Sequence, residues 1–145
     1  MLVEPATPPD LPAVLALLER LAQPVEGVAQ CLGRMVVARD GAQVVGAAAI
    51  ESYAQGALLR SVVVDPARQG EGVGQRLVAA ALEMARREGA EAVFLLTTTA
   101  EGFFPKFGFE AIPRAEVPSS VRASVEFQSA CPASAVAMRA ALARA

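Results

Sequence analysis

The sequence predicts a single α/β domain over residues 1–145, built on a mixed central sheet with antiparallel N-terminal strands and one parallel β-α-β unit. Three observations predict it. Residues 34–39, 42–52 and 57–64 are β-rich runs separated by short turns, and strands joined so tightly pair antiparallel. The third run leads through a glycine-rich loop into a helix-patterned stretch and then another apolar run at 92–97. Strand, crossover helix and strand imply parallel pairing with a right-handed connection. The chain has 145 residues with no repeat or low-complexity linker, which is enough for one hydrophobic core.

In chain order, residues 2–6 are a short strand ended by Thr7-Pro8-Pro9. Asp10 is placed to cap a helix with Pro12 in its first turn. Leu11, Val14, Leu15, Leu18 and Leu21 recur at helical spacing and give this helix one buried face. Pro24 interrupts it, and residues 25–32 read as a second short helix followed by Gly33. Asp40-Gly41 is a two-residue hairpin signal between the first two β-rich runs. A turn around Ala54-Gln55-Gly56 leads into the third.

The long helix runs from about residue 72 to 88. Val73, Leu77, Ala81 and Met84 mark its buried face, Glu83, Arg86 and Arg87 its wet side, and Gly89 its C-cap. After the strand at 92–97, residues 101–107 read as a short helix ended by Gly108, and 109–112 as a strand. Residues 113–119 read as a loop, and 120–127 are ambiguous between helix and strand. Residues 133–142 suit a last strand fraying into helix.

Composition excludes several classes of function. No run of about eighteen uncharged apolar residues suggests a membrane span, and the N-terminus lacks the pattern of a signal peptide. Net charge is −2 with no basic run, which argues against nucleic acid as a partner. Cys31 and Cys131 are far apart and fit no C-x-x-C pattern, as expected of small buried side chains in a reduced, cytoplasmic compartment. The chain has no histidine, so Ser-His and Cys-His pairs are excluded and no metal site is expected.

The chemistry centres on residues 58–82. Val62-Val63-Val64 ends a strand at Asp65-Pro66, where proline cannot extend a ladder. Gly70, Gly72 and Gly74 follow at every second position, and then a helix begins. Strand, glycine loop and helix N-terminus together make an anion site suited to phosphate. A P-loop would end in Gly-Lys-Ser/Thr, but this loop ends Gly74-Gln75-Arg76. A Rossmann loop would need glycine where Gln75 stands. An ordinary glycine-rich turn remains the plain alternative.

Gln69-Gly70-Glu71-Gly72-Val73-Gly74 resembles the Q/R-x-x-G-x-G/A signature of the GNAT superfamily of acetyl-CoA-dependent N-acetyltransferases. The resemblance widens over nearly the whole chain from Pro24 onward. Leu95-Leu96-Thr97-Thr98-Thr99-Ala100-Glu101, Phe103-Phe104-x-x-Phe107-Gly108-Phe109 and Ser129-Ala130-Cys131-Pro132-Ala133-Ser134-Ala135 are together similar to the arsenic-resistance N-acetyltransferases. The Leu-Arg-Ser-Val and Leu-Leu-Thr-Thr segments are also similar to the branch that acetylates glutamate.

The resemblance implies a GNAT fold and acetyl-CoA as cofactor. It implies that Val62, Val63 and Val64 bind pantetheine through backbone groups, and that Gln69, Gly70, Gly72, Val73 and Gly74 bind the pyrophosphate. Arg68 and Arg76 either add charge there or are solvated surface residues. It also brings Arg122 toward the acceptor pocket, although Arg122 and Glu126 equally suit a plain i, i+4 pair.

Without histidine, the base that neutralises the amine is a carboxylate or water. Glu51 is the candidate, since it ends an apolar strand beside the cofactor strand, where burial would raise its pKa. Arg60 either pairs with Glu51 or binds a substrate carboxylate through its two-pronged guanidinium. Thr97 and Thr98 stand at the carboxyl end of a parallel strand, the usual ligand edge of such sheets. Many GNAT enzymes place a tyrosine where Phe104 stands, so the usual acid for the leaving thiolate is missing. Tyr53, a weak substitute, Ser61 and water are the alternatives, or the thiolate leaves unprotonated.

The predicted acceptor is a small amine, an amino acid that is glutamate-like or arsenic-containing. Polyamine, aminoglycoside and peptide acceptors are the alternatives, as is a CoA-binding sensor without activity. A homodimer is left open, and direct arsenic ligation by Cys131 is given little weight.

Overall fold

The structure, a computed structural model, describes residues 1–98, 100–124, 127–128 and 134–142. Its core is a seven-stranded sheet ordered β1-β2-β3-β4-β5-β7-β6. The strands are β1 (Leu2–Pro5), β2 (Met35–Asp40), β3 (Gln43–Tyr53), β4 (Gly56–Val64), β5 (Ala92–Thr97), β6 (Glu110–Ile112) and β7 (Val136–Ala141). Among the described strands only β4 and β5 pair in parallel; all other neighbours are antiparallel. The helices are α1 (Leu11–Arg20), α2 (Val73–Arg87) and the short α3 (Ser119–Arg122). No helix among the described residues is long and apolar enough to cross a membrane.

The two long helices cover opposite faces of the sheet. Val73, Leu77, Val78, Ala81 and Ala85 of α2 pack with Val36, Ala48, Ile50 and Leu59. Val14, Leu17 and Leu18 of α1 pack with Met35, Val37, Ala47, Ala49 and Val63. Successive residues of a strand point to opposite faces, so β3 must be apolar on both, and its sequence is a nearly unbroken apolar run for that reason. Small alanines along β3 let both helices approach closely.

Several local expectations are corrected. The β2–β3 hairpin turns on Gly41-Ala42, because Asp40 already pairs with Gln43. Gly41, at φ 60°, supplies the left-handed conformation that the turn needs. The expected helix at 25–32 is a turn followed by a 3₁₀ helix, Ala29–Arg34, with Gly33 inside it. Residues 101–107 give only a 3₁₀ turn, Phe104–Phe107, although Gly108 closes it as expected. The expected loop at 113–119 holds a 3₁₀ turn, Arg114–Glu116, and the ambiguous stretch begins as α3. On α2 the buried set includes Val78 and Ala85, while Met84 is only half-buried. The last strand does not pass into helix within the described residues, and it inserts between β5 and β6.

Helix α1 ends before Pro24 is reached. Ala22 takes a left-handed φ of 57°, the Ala22 amide donates to Glu19 O, and the Gln23 amide donates to Leu18 O. This is a Schellman closure built without glycine. It turns the chain sharply and lays residues 21–26 beside β4.

Asp10 stands before α1 but does not cap it with its side chain. Its carboxylate accepts from both Nη atoms of Arg39, at 2.8 and 2.9 Å, and from the Thr7 amide at 2.8 Å. The Arg39 hydrogen bonds hold the Asp10 carboxyl well below the usual carboxylate range, against the opposing effect of burial. A depressed folded pKa adds stability that is complete above the unfolded value of about 3.9 and is lost as pH falls below it. Asp10→Asn is therefore expected to lower stability near neutral pH by about 2 kcal/mol. It should also flatten the fall of Tm between roughly pH 4 and lower pH. Parallel acid profiles for variant and parent would refute this.

Candidate active site

The site exists because β4 is irregular. Ser61 has φ 59°, a left-handed value uncommon for a residue other than glycine. Ala47 pairs with Val63 and Ala49 with Arg60, so Ser61 and Val62 together stand opposite Ala48. This is a β-bulge, and bulges bend the strand that carries them. The parallel pairing of β4 with β5 is confined to Ala57–Val93 and Leu58–Phe94. Beyond Leu58 the two strands no longer pair, while the far edge of β5 stays paired with β7 as far as Thr97. A cleft of about 1060 Å³ occupies the opening.

The glycine loop forms the mouth of this cleft. Gly72 precedes α2 with φ 81°, a conformation that would strain any side-chain-bearing residue. It aims the first turn of α2 so that Val73, Gly74 and Gln75 line the cleft. The initial amides of a helix lack partners within it, so this end is an anion seat. Arg68 and Lys106 also line the cleft. Arg68 is tied to Asp40 at 2.5 Å and Glu71 at 3.3 Å, and Lys106 Nζ lies 4.7 Å from the Phe103 ring centroid. Arg76 lies outside the lining.

Val62, Val63, Val64, Gln69, Gly70, Gly72, Val73 and Gly74 all line this one cleft, as do Arg60, Thr97 and Thr98. Thr97 Oγ1 accepts the Ala100 amide at 3.0 Å, so part of its capacity shapes the turn after β5. Arg122 is not brought to the cleft. It borders a separate depression of about 500 Å³ with Arg114, Ser119 and Phe127. Thr99, Glu126 and Cys131 lie outside the described residues. Gln23, Glu26 and Lys106 line the cleft without having been singled out from sequence. Glu26 and Gln23 come from an irregular loop, which carries no periodic signal.

Glu51 and Arg60 meet, with Arg60 in the cleft lining and Glu51 outside it. The Arg60 side chain is 0 % exposed and donates from Nη1 to Glu51 Oε2 at 3.0 Å. Its Nη2 donates to Glu26 O at 2.7 Å and its Nε to Ser61 Oγ at 3.1 Å. Glu51 lies outside the cleft lining, with Oε1 accepting from the Tyr53 hydroxyl and Oε2 also accepting from Cys31 Sγ at 3.4 Å. Burial, then the Glu51 carboxylate, pushes the Tyr53 phenol up from its ordinary value, so Tyr53 serves Glu51 as a fixed donor. Phe104 is buried in edge contacts with Phe103 and Phe109, at centroid distances of 5.1 and 5.8 Å. Ser61 is the cleft-lining hydroxyl on the bulge. Its oxygen accepts from Arg60, which leaves its proton to donate.

No group of three or more His, Cys, Asp or Glu side chains among the described residues is placed to hold a metal ion. A family model described as an acetyltransferase (GNAT) domain matches residues 32–111. The chain belongs to the GNAT acetyltransferases. As a GNAT protein it is an acetyl-CoA-dependent N-acetyltransferase, as its sequence predicted.

Solved structures agree in fold. Rv2747 from Mycobacterium tuberculosis, in complex with CoA and a second ligand, superposes with TM-score 0.84 at 26% identity, covering 99% of this chain and 100% of that one. N-acetylglutamate synthase from Neisseria gonorrhoeae, complexed with coenzyme A and N-acetyl-glutamate, gives TM-score 0.85 at 22% identity over 99% of this chain. The GNAT chain described here spans only 35% of the gonococcal enzyme's length. The ribosomal-protein-S18-alanine N-acetyltransferase from Escherichia coli gives TM-score 0.75 at 18% identity, covering 99% and 95% of the two chains. The last two likenesses speak to fold alone.

The residues present suit acetyl-CoA. The α2 N-terminus with Arg68 and Lys106 suits its phosphates, and the β4 edge released from β5 suits its amide-bearing arm. Bound there, acetyl-CoA supplies an activated acetyl group.

Proposed function

We propose that this protein acetylates the amine of a small amino acid carrying an α-carboxylate, glutamate-like or arsenic-containing, by direct transfer in a ternary complex. The observation that carries the reading is the charge of the cleft. Among the described residues its charged lining is Arg60, Arg68 and Lys106 against Glu26 alone. Arg68 and Lys106 stand near the glycine loop and suit the phosphates, and the buried positive charge of Arg60 in the lining favours a carboxylate there. A polyamine would need several acidic groups, and the described lining offers one. The glutamate branch is supported by the Leu-Arg-Ser-Val and Leu-Leu-Thr-Thr segments, and the arsenic-resistance branch by the segments around Thr97 and Phe104.

Val62, Val63 and Val64 hold the pantetheine arm in this reading, and Gln69, Gly70, Gly72, Val73 and Gly74 the pyrophosphate. Glu51 acts through Arg60: it holds the guanidinium in place and balances its charge before substrate arrives. Thr97 and Thr98 close the acceptor side.

An acceptor screen tests the proposal. Acetyl-CoA is supplied with the standard amino acids, methylated arsenic amino acids, polyamines and aminoglycosides, and thiol release is followed. Turnover with one or more amino acids is expected. Turnover with polyamines or aminoglycosides only would replace the reading, and thiol release with no amine would restore the sensor alternative.

A further inference from the structure

Glu26 is the one carboxylate among the described residues that lines the cleft. It is exposed, and no hydrogen bond or ion pair engages its side chain among the described residues. Its main chain, by contrast, is fastened. Glu26 O accepts from Arg60 Nη2 at 2.7 Å. Gly27 follows at φ 79°, and a Cβ built there would lie 3.1 Å from Arg60 Nη1 and 3.9 Å from Glu51 Oε2. The backbone therefore rests directly on the ion pair, at a place where a side chain would be strained and would press on the guanidinium. Cys31 Sγ completes the attachment, 3.4 Å from Gly27 O and 3.4 Å from Glu51 Oε2. The Glu51–Arg60 pair thus anchors the segment that carries Glu26, an exposed residue of the cleft lining.

We propose that Glu26 is the carboxylate that meets the acceptor amine and takes its proton. The inference rests on the amino-acid reading of the acceptor. The Arg60 end of the cleft takes the carboxylate of the zwitterion, and Glu26, docked on Arg60 by its own carbonyl, meets the ammonium. Glu26 removes one proton from the ammonium, directly or through a water, and later returns it to solvent. The freed nitrogen pair forms a C–N bond with the acetyl carbon while the C–S bond breaks. The sulfur keeps that electron pair and takes up the second proton from nitrogen. A group within reach of the amine is what such proton removal requires. Glu51, outside the lining and engaged by Tyr53, Arg60 and Cys31, does not offer that reach.

Thiol release from acetyl-CoA with each standard L-amino acid, read for the parent, Glu26→Gln and Glu26→Asp, tests the inference. For the amino acid that the parent uses best, Glu26→Gln should lower kcat/KM by about 10²-fold or more. The KM for acetyl-CoA and the Tm should stay near the parent's, since no hydrogen bond or ion pair among the described residues engages the side chain. Glu26→Asp should recover part of the rate. A Glu26→Gln variant with the parent's kcat/KM for that amino acid overturns the inference and leaves the amino-acid reading standing. A parent that acetylates no amino acid overturns both.

Discussion

Arg60→Ala is expected to abolish measurable transfer to amino-acid acceptors and to destabilise the fold by about 3 kcal/mol. The guanidinium is fully buried and is the shared donor for Glu51 Oε2, Glu26 O and Ser61 Oγ. Its removal leaves a carboxylate at 17 % exposure without its cation, and releases the loop that carries Glu26. Breaking one partner of a buried pair typically costs 3–5 kcal/mol, and the residual exposure of Glu51 sets the expectation near the lower figure. Arg60→Lys separates the effects. One ammonium keeps the charge but cannot reach three acceptors in a fixed fork. It should raise the acceptor KM by roughly tenfold or more while the KM for acetyl-CoA changes little. Chemical denaturation with steady-state kinetics reads both variants. Parental Tm and parental acceptor KM in Arg60→Ala would remove Arg60 from the site and from the core together.

The second large effect is expected at Gly46 on β3. A Cβ there would lie 2.8 Å from Leu77 Cδ1, 2.9 Å from Val63 O and 3.4 Å from Val73 Cγ1. The first contact could yield by a rotamer change, but the second is with the backbone of the neighbouring strand. Gly46→Val adds two further methyl groups to that space, so β4 or α2 must move. Overpacking costs roughly 1–3 kcal/mol, and a backbone neighbour places this site at or above the top of the range. The displaced elements are those that shape the cofactor end of the cleft, since Val63 and Val73 both line it. The expectation is a drop in Tm of several degrees and a loss of CoA affinity, read by calorimetry. CoA affinity equal to the parent's in a destabilised variant would show that the cleft does not depend on this contact.

Much of this was legible before any coordinates. The period-two runs, the turn dipeptides and the glycine loop located all seven described strands and α2 within a few residues, because each is a local property of the chain. The alignment of residues 62–64 and 69–74 along one cleft was legible for the same reason: strand, loop and helix are consecutive. What escaped depended on distant partners. Asp10 has the sequence signature of a cap, yet Arg39, distant in sequence on β2, takes its carboxylate. Glu51 and Arg60 could be suspected of pairing, but nothing local says that Arg60 would line the cleft and Glu51 would not. Glu26 lies in a loop whose position is set by the Schellman closure at Ala22 and by Arg60, neither of which leaves a periodic trace. The bulge at Ser61 was equally silent, because Val-Val-Val reads as a regular strand.

The sheet order has a consequence for the sequence of events in folding. From β1 to β5, each strand finds a partner among those already made, except that β1 waits for β2. β6 does not: its neighbour among the described strands is β7 alone, which follows it by more than twenty residues and also closes the open edge of β5. On a ribosome delivering the chain from its N-terminus, the five strands β1–β5 can close around α2 while β6 has no ladder to join. The free edge of β5, with Leu95 and Leu96 on it, stays available to other chains for that interval, which is when unpaired edges invite misassembly. Arrival of β7 ends the exposure and fixes both neighbours in one step. The last strand is therefore the clasp of the fold, and loss of its pairing residues should leave a nascent chain dependent on chaperones even though the cleft and its glycine loop lie wholly upstream.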